Sequence, residues 1–156
     1  MTEIVIDDRG VVVPCRTCGQ KNRVLYERLS GSSRCGKCKG ELGPTAEPVE
    51  IKSALEFDVV ISKASIPVVV DYWAPWCGPC RMVGPELQKV AMRQAGRILV
   101  VKVNTEALPE LGRRFGVQSI PMLAVFAQGR EVSRSVGARP AAEIEVFIDQ
   151  ATHAHR

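Results

Sequence analysis

From residue 48 onward, the hydrophobic and polar positions alternate between strand-like runs and helix-like repeats. Residues 68–73 form a nearly continuous apolar run, which predicts a strand buried on both faces. Ser53, followed three positions later by Glu56, forms a capping box that predicts a helix over residues 53–63. The rest of the pattern predicts helices over 77–94, 108–115 and 140–151, strands over 49–51 and 98–103, and a hairpin of strands over 123–127 and 131–136. This order, β-α-β-α-β-α-β-β-α, predicts an α/β domain with helices on both faces of its sheet.

Residues 41–47 are poor in apolar side chains and contain Gly43 and Pro44, which favour turns. They predict a linker between an N-terminal module, residues 1–40, and a larger domain, residues 48–156. A module of that size buries too little surface to fold without disulfides, a metal or a partner.

Composition indicates a globular protein of a reducing compartment. Hydrophobic residues make up 46% of the chain, and no apolar run approaches the roughly 20 residues of a membrane-spanning helix. The N-terminus carries Glu3, Asp7 and Asp8 and lacks the apolar core of a signal peptide, so we expect a cytoplasmic protein without membrane association. In that compartment, six cysteines indicate metal ligands or redox catalysis rather than a disulfide framework.

The first four cysteines form two Cys-x-x-Cys pairs, Cys15 with Cys18 and Cys35 with Cys38, separated by 16 residues. This spacing is typical of a zinc ribbon, and four thiolates suit one tetrahedral Zn(II) with no open position for catalysis. We also expect a strand within residues 22–29, between the two pairs. Two local disulfides or a second redox site are the alternative interpretations.

The cysteine-rich segment is also basic. Residues 15–40 carry seven basic residues and one acidic residue, whereas the whole chain has a net charge of +4. Lysine and arginine contact phosphates, so nucleic-acid binding is an alternative function of this module. Tyr26 is its single aromatic residue, which leaves no stacking platform for bases, and we expect no nucleic-acid partner.

The third pair, Cys77 and Cys80, lies between a predicted buried strand and a predicted helix. The free N–H groups and the positive dipole end of a helix N-terminus stabilise a thiolate, which is the reactive form of cysteine. Cys80 lies one turn further on, within reach of the first sulfur, and Gly78 and Pro79 let the chain enter the helix tightly. This context favours a redox dithiol over half of a metal site.

The run from Asp71 to Cys80, DYWAPWCGPC, resembles the active-site signature of the thioredoxin family. Ile120-Pro121 is similar to the family's cis-proline loop, Pro85 to its helix kink and Gly137 to its late substrate-groove glycine. The resemblance covers residues 48–156 and implies a thioredoxin fold, a central mixed sheet flanked by helices. With the four-cysteine module included, the whole chain resembles the zinc-binding thioredoxins of the thioredoxin 2 type.

The resemblance implies a role for each matching residue. Cys77 is the attacking nucleophile and Cys80 the resolving thiol, and the two form the redox disulfide. Asp71, on an apolar strand, is expected to be buried with a raised pKa and to take the proton of Cys80, with Lys102 nearby to tune it. The residues expected to bind substrate are Trp76, Gly78, Pro79, Ile120, Pro121 and Gly137. Met122 departs from the threonine common in the family and is expected to make the substrate groove more apolar.

The resemblance further implies a protein-disulfide reductase that acts on disulfide-containing proteins. Its electrons would come from an NADPH-dependent flavin thioredoxin reductase, and this chain would bind neither NADPH nor flavin. We expect a monomer with one zinc ion that is structural or redox-sensitive. A disulfide oxidant or isomerase is the alternative enzyme, although the Gly-Pro dipeptide between the cysteines favours a reductase. The alternative without catalysis is a ribbon that binds clients or nucleic acid.

Overall fold

A five-stranded mixed sheet forms the centre of the larger domain in the computed structural model, which describes residues 4–153. Its strands are β4 (Val49–Glu50), β5 (Val68–Trp73), β6 (Leu99–Asn104), β7 (Met122–Ala127) and β8 (Arg130–Val136), in the spatial order β4-β6-β5-β7-β8. Strands β4, β6 and β5 are parallel, whereas β7 and β8 are antiparallel to their neighbours. The apolar run of β5 is central and buried, as its composition predicts.

Helices cover both faces of this sheet. They are α1 (Ala54–Lys63), α2 (Gly78–Arg93), α3 (Pro109–Arg114) and α4 (Ala141–His153). Helices α2 and α4 pack on one face, where Leu87 and Ile144 join the sheet residue Val69 in one apolar cluster. Helices α1 and α3 pack on the other, where Phe57 and Leu111 join a second cluster. Burial of these two faces supplies most of the favourable free energy of folding.

The start of α1 illustrates how the sequence fixes a helix boundary. Ser53 is the N-cap residue, and its Oγ accepts a hydrogen bond from the backbone N–H of Glu56 at 3.1 Å. The Glu56 carboxylate turns back and accepts a hydrogen bond from the backbone N–H of Lys52 at 3.2 Å. Both bonds satisfy N–H groups that have no partner within the helix.

The N-terminal module forms a separate three-stranded antiparallel sheet. Its strands are β1 (Val5–Ile6), β2 (Gly10–Pro14) and β3 (Lys21–Leu25), in that order, and a short 3-10 helix (Tyr26–Arg28) follows β3. Gly10 lies so close to the backbone of Val24 that a Cβ atom there would be 2.2 Å from its carbonyl oxygen. Only glycine therefore fits where β2 meets β3.

The module packs against the larger domain through a continuous apolar core. Ile6, Val11 and Tyr26 belong to the same buried cluster as Val49 and Phe57 of the domain. Two hydrogen bonds cross this contact: the Ser65 N–H donates to the Tyr26 carbonyl at 3.0 Å, and the Lys63 ammonium donates to the Asp8 carbonyl at 3.1 Å. Within the module, the Tyr26 hydroxyl donates to the Asp7 carbonyl at 2.7 Å. The burial of Tyr26 at this contact also removes it from any surface that bases could stack on.

The predicted α/β order and thioredoxin fold are confirmed, with element ends within two residues of the predicted ones in the larger domain. The prediction for residues 22–29 is wrong in part, because the strand ends at Leu25 and a 3-10 helix takes its place. Strands β1 and β2 were not predicted. The sequence predicts His153 and His155 to be solvated end residues and not metal ligands; His153 is exposed, and His155 lies outside the described residues. Among residues 4–153, no helix has the length and apolar character needed to cross a membrane.

Candidate active site and candidate metal centre

Cys77 and Cys80 form a disulfide at the N-terminus of α2, with their Cα atoms 5.3 Å apart. Cys77 is the N-cap residue, and its Sγ accepts a hydrogen bond from the backbone N–H of Cys80 at 3.2 Å. Gly78 and Pro79 occupy the first two positions of the helix. A proline costs no hydrogen bond there, because a backbone N–H in the first turn has no partner within the helix. The same N–H groups and the helix dipole would stabilise a Cys77 thiolate in the reduced protein.

The surface beside the disulfide contains the other predicted substrate-binding residues. Trp76 is 68% exposed next to Cys77, which is itself only 4% exposed. The carbonyl oxygen of Ile120 lies 3.9 Å from the Sγ of Cys77, and the Ile120–Pro121 peptide bond is cis, as the resemblance implied. Trp76 and Ile120 line a groove together with residues of α3. The groove therefore adjoins the loop that carries Cys77.

Gly137 completes that surface from the next strand. Its backbone N–H donates to the carbonyl of Pro121 at 2.9 Å, and its φ of +100° is a conformation that side-chain-bearing residues rarely adopt. The glycine thus follows β8 directly and lies beside the Pro121 loop. The expectation for Met122 is wrong: it is 2% exposed and belongs to the buried core, so it does not line the groove.

Asp71 is a buried carboxyl on the central strand, 1% exposed, and its Oδ1 has no hydrogen-bond partner among the described residues. Burial raises the pKa of Asp71 to about 7; the Lys102 ammonium opposes this shift and the Glu50 carboxylate adds to it. Side chains alternate along a strand, so Asp71 shares its face of β5 with Val69 and Trp73. Val69 belongs to one cluster with Val83 of α2, and Trp73 packs against the disulfide cysteines, which places Asp71 beneath the first turns of α2.

Lys102 lies directly beside Asp71 on the neighbouring strand β6, and Glu50 lies beside Lys102 on β4. The three side chains form a row of charges across three parallel strands. The Lys102 Nζ lies 4.6 Å from the centroid of the Trp73 ring, and the Trp73 indole N–H donates to the Glu50 carboxylate at 3.2 Å.

Glu50 and Trp73 were not among the predicted site residues. The signal for Glu50 was present, because an acidic residue between the apolar Val49 and Ile51 must lie on the opposite face of the strand from them. Nothing in the sequence showed that β4 would pair with β6 and bring Glu50 next to Lys102.

The four N-terminal cysteines converge at the two turns of the module. Their sulfur atoms all lie within 4.8 Å of one another, and the Cys15–Cys38 and Cys18–Cys35 pairs are 3.6 Å apart. Metal–sulfur bonds of about 2.3 Å in a tetrahedron require sulfur–sulfur distances of about 3.8 Å. The donor set and its spacing therefore fit a tetrahedral thiolate metal centre such as zinc.

The surrounding backbone favours thiolates at this cluster. Backbone N–H groups of Lys37 and Cys38 point at the Cys35 sulfur, at 3.4 and 3.5 Å. These bonds, with the Cys38 N–H contributing most, lower the pKa of Cys35 to about 6. The N–H of Cys18 similarly lowers the pKa of Cys15. Metal ligation needs the deprotonated sulfur, so these turns prepare Cys15 and Cys35 for a metal. At Cys38 the Gly40 N–H lowers the pKa, but contacts with the Cys15 sulfur and the other cysteine sulfurs raise it to about 11.

A disulfide at a helix N-terminus, a buried carboxyl beneath that helix and an open groove beside the sulfurs define a thiol–disulfide oxidoreductase. The thioredoxin family model matches residues 48–150. Thioredoxin C-3 of Corynebacterium nephridii is 39% identical over 140 residues, 90% of this chain and 94% of that protein, so the similarity extends into the N-terminal module. Thioredoxin 1 of Synechococcus elongatus is 43% identical over 94 residues, 60% of this chain and 88% of its own.

Solved structures agree with these sequence matches. A thioredoxin variant from Halobacterium salinarum superposes with a TM-score of 0.63 at 30% identity, covering 69% of this chain and 93% of its own. Chloroplastic thioredoxin z gives a TM-score of 0.63 at 29% identity, covering 69% of this chain and 96% of its own. The chain belongs to the thioredoxin family and is a thioredoxin-type disulfide oxidoreductase.

Proposed function

We propose that this chain is a protein-disulfide reductase. The observation that carries the proposal is the Cys77–Cys80 pair at the N-terminus of α2, next to the exposed Trp76 and the Ile120 carbonyl. An extended substrate segment can lie in this groove and offer its disulfide to Cys77. The Gly-Pro dipeptide between the cysteines favours reduction over oxidation or isomerisation.

The reaction begins from the reduced dithiol. The Cys77 thiolate attacks one sulfur of the substrate disulfide, so that a Cys77–substrate disulfide forms and the other substrate sulfur leaves as a thiolate. Asp71 takes the proton of Cys80, directly or through water, and the Cys80 thiolate attacks the Cys77 sulfur. The second substrate sulfur then leaves. Two electrons have passed to the substrate, and the Cys77–Cys80 disulfide seen here is the product state.

Return to the dithiol needs an external reductant. An NADPH-dependent flavin thioredoxin reductase would supply the two electrons by the reverse exchange at the same sulfurs. The chain itself is proposed to bind neither NADPH nor flavin. Its monomeric state and cytoplasmic location stay predictions.

The N-terminal module, residues 1–40, is proposed to hold one structural zinc ion through Cys15, Cys18, Cys35 and Cys38, as in the thioredoxin 2 type. The fit of the four sulfurs to a tetrahedron supports this assignment. Four protein ligands leave no position for substrate, so the ion would stabilise the module rather than take part in exchange. Residues 41–47 would link it to the catalytic domain, residues 48–156.

A Cys80→Ser variant tests the proposed order of events. It should retain attack by Cys77 but lose the resolving step, so substrate proteins should accumulate on Cys77 as adducts that dithiothreitol releases. Cys77→Ser is the matched control and should form no adduct. Absence of adducts with Cys80→Ser, together with an inactive wild type in insulin reduction, would contradict the proposal.

The direction of exchange has its own test. A reductase of this type should have a reduction potential near −270 mV, whereas isomerases and strong oxidants lie at about −180 to −120 mV. Equilibration of the wild-type chain with glutathione or dithiothreitol buffers measures this potential. A value in the higher range would favour the oxidant or isomerase instead.

A further inference from the structure

The row formed by Glu50, Lys102 and Asp71 crosses three adjacent parallel strands and ends beneath the redox disulfide. Glu50 pairs in register with Lys102, and Lys102 pairs in register with Asp71. Strands in a sheet are about 4.8 Å apart, so the two acidic residues are separated by roughly 10 Å with one cation between them. This places a second carboxylate within electrostatic reach of the buried acid.

Trp73 contacts two members of this row, Glu50 and Lys102. Its indole N–H donates to the Glu50 Oε1 at 3.2 Å, and its ring lies against the Lys102 ammonium, 4.6 Å from Nζ to ring centroid. One indole therefore fixes both the carboxylate and the cation. The hydrogen bond holds the half-buried Glu50 carboxylate against Trp73.

Glu50 and Lys102 are the charged groups that face Asp71. From β7 its neighbour in register is the apolar Leu123. The buried residues that the helices of this face present are Cys80, Val83, Leu87, Val90, Ala91, Ala141, Ile144, Ile148 and Ala151. Apart from the Cys80 sulfur, which is held in the disulfide, no titratable group in that set competes with Glu50 and Lys102.

We propose that Glu50 is a positioning residue of the reductase: held by the Trp73 indole, its carboxylate partly offsets Lys102 and sets the pH at which Asp71 gives up its proton. The inference rests on the proposed function, in which Asp71 accepts the proton of Cys80. Its physical basis is that a fixed negative charge disfavours ionisation of a second carboxyl nearby. Burial also raises the pKa of Glu50 itself, whereas Lys102, the indole hydrogen bond and Lys52 act in the opposite direction.

The test is the titration of the Asp71 carboxyl in the full-length oxidised protein, followed by carboxyl-carbon NMR. Glu50→Gln removes the charge but retains an oxygen that can accept the indole hydrogen bond. Its Asp71 midpoint should fall by roughly 0.5–1 pH unit, as expected for a unit charge at this distance in a protein interior. Glu47→Gln is the matched control, since it removes an exposed carboxylate just outside the same strand and should leave the midpoint unchanged.

Trp73→Phe tests the tether separately, because phenylalanine keeps an aromatic ring near Lys102 but has no N–H for Glu50. Release of Glu50 toward solvent should lower the Asp71 midpoint in the same direction. The double variant Trp73→Phe/Glu50→Gln should show no further fall beyond Glu50→Gln alone, because both changes act through one carboxylate. Additive shifts would overturn the positioning role, and Trp73→Phe still tests the tether if Glu50→Gln fails to fold.

The pH profile of insulin reduction supplies the functional readout. Its acid limb should move to lower pH in Glu50→Gln, in parallel with the Asp71 titration, and stay in place in Glu47→Gln. Equal Asp71 midpoints in Glu50→Gln and Glu47→Gln would overturn the inference. If the wild type still reduced insulin, the proposed function would remain intact. A shifted midpoint in an otherwise inactive protein would support the electrostatic coupling and contradict the proposed function.

Discussion

At the scale of single residues, folding favours the neutral form of Asp71, whereas the proposed chemistry needs its ionised form. A carboxyl that is 1% exposed is costly to ionise, yet the proposed reaction needs it to accept a proton. Its pKa of about 7 lies close to the pH at which a base can both hold and release a proton. The raised pKa of a buried, partly unsatisfied carboxyl is therefore what the proposed reaction would use.

Asp71→Asn should stabilise the oxidised protein while slowing insulin reduction. The folded state binds the Asp71 proton more tightly than the unfolded state does, so this residue's contribution to stability is greatest below about pH 4 and falls as the pH rises to about 7. The asparagine amide stays neutral, so the variant does not lose stability as the pH rises. Its free energy of unfolding should therefore exceed that of the wild type by roughly 2–4 kcal/mol more at pH 8 than at pH 4. Urea unfolding at the two pH values measures it, and an equal gain at both would contradict the assignment of a raised pKa.

At the scale of elements, some helix boundaries and strands follow from short-range patterns that are visible in the sequence. The Ser53–Glu56 capping box predicted the start of α1, and the structure contains the expected Ser53 hydrogen bond. The apolar run at residues 68–73 likewise predicted a central strand, because burial on both faces leaves no polar alternation. Such features are local in the chain, so they can be read without knowledge of the fold.

Ser53→Ala should lower the stability of the larger domain by about 1 kcal/mol, since it leaves the Glu56 N–H without its partner. Ser62→Ala in the same helix is the matched control, because its exposed hydroxyl bonds only to the Val59 carbonyl and alanine favours the helix. Urea unfolding monitored by circular dichroism would measure both. A loss in Ser62→Ala as large as that in Ser53→Ala would argue against a specific capping effect.

The elements that sequence reasoning missed depend on contacts between distant segments. Strand β1 is two residues long, and β2 carries only the short apolar run Val11 to Val13, so neither shows a periodicity of its own. Strand β1 pairs with β2 and β2 pairs with β3, and Ile6 and Val11 join the buried cluster that contains Phe57. Glu50 was missed for the same reason, because its importance comes from the pairing of β4 with β6.

At the scale of the whole molecule, the two parts of the chain share one hydrophobic core on the α1 face of the sheet. Ile6, Val11, Val24 and Leu29 from the module lie in the same cluster as Val49 of the catalytic domain. The Tyr26 carbonyl accepts a hydrogen bond from the Ser65 N–H across this contact, and the Tyr26 hydroxyl donates to the Asp7 carbonyl within the module. The module therefore covers apolar surface that the catalytic domain would otherwise expose to water.

Metal removal should affect the module first and the catalytic domain second. The buried core of residues 15–40 includes only a few apolar side chains besides Cys15 and Cys35, so the four-sulfur centre is expected to supply much of its folding free energy. A strong zinc chelator should open this segment, which carries seven lysine and arginine residues, to trypsin while sites beyond residue 48 stay protected. The midpoint of thermal unfolding should also fall, because Val49, Ile51 and Phe57 lose part of their apolar cover. Metal analysis before and after chelation provides the control, and a module that stays resistant to trypsin after complete loss of zinc would show that packing against the catalytic domain alone holds it folded.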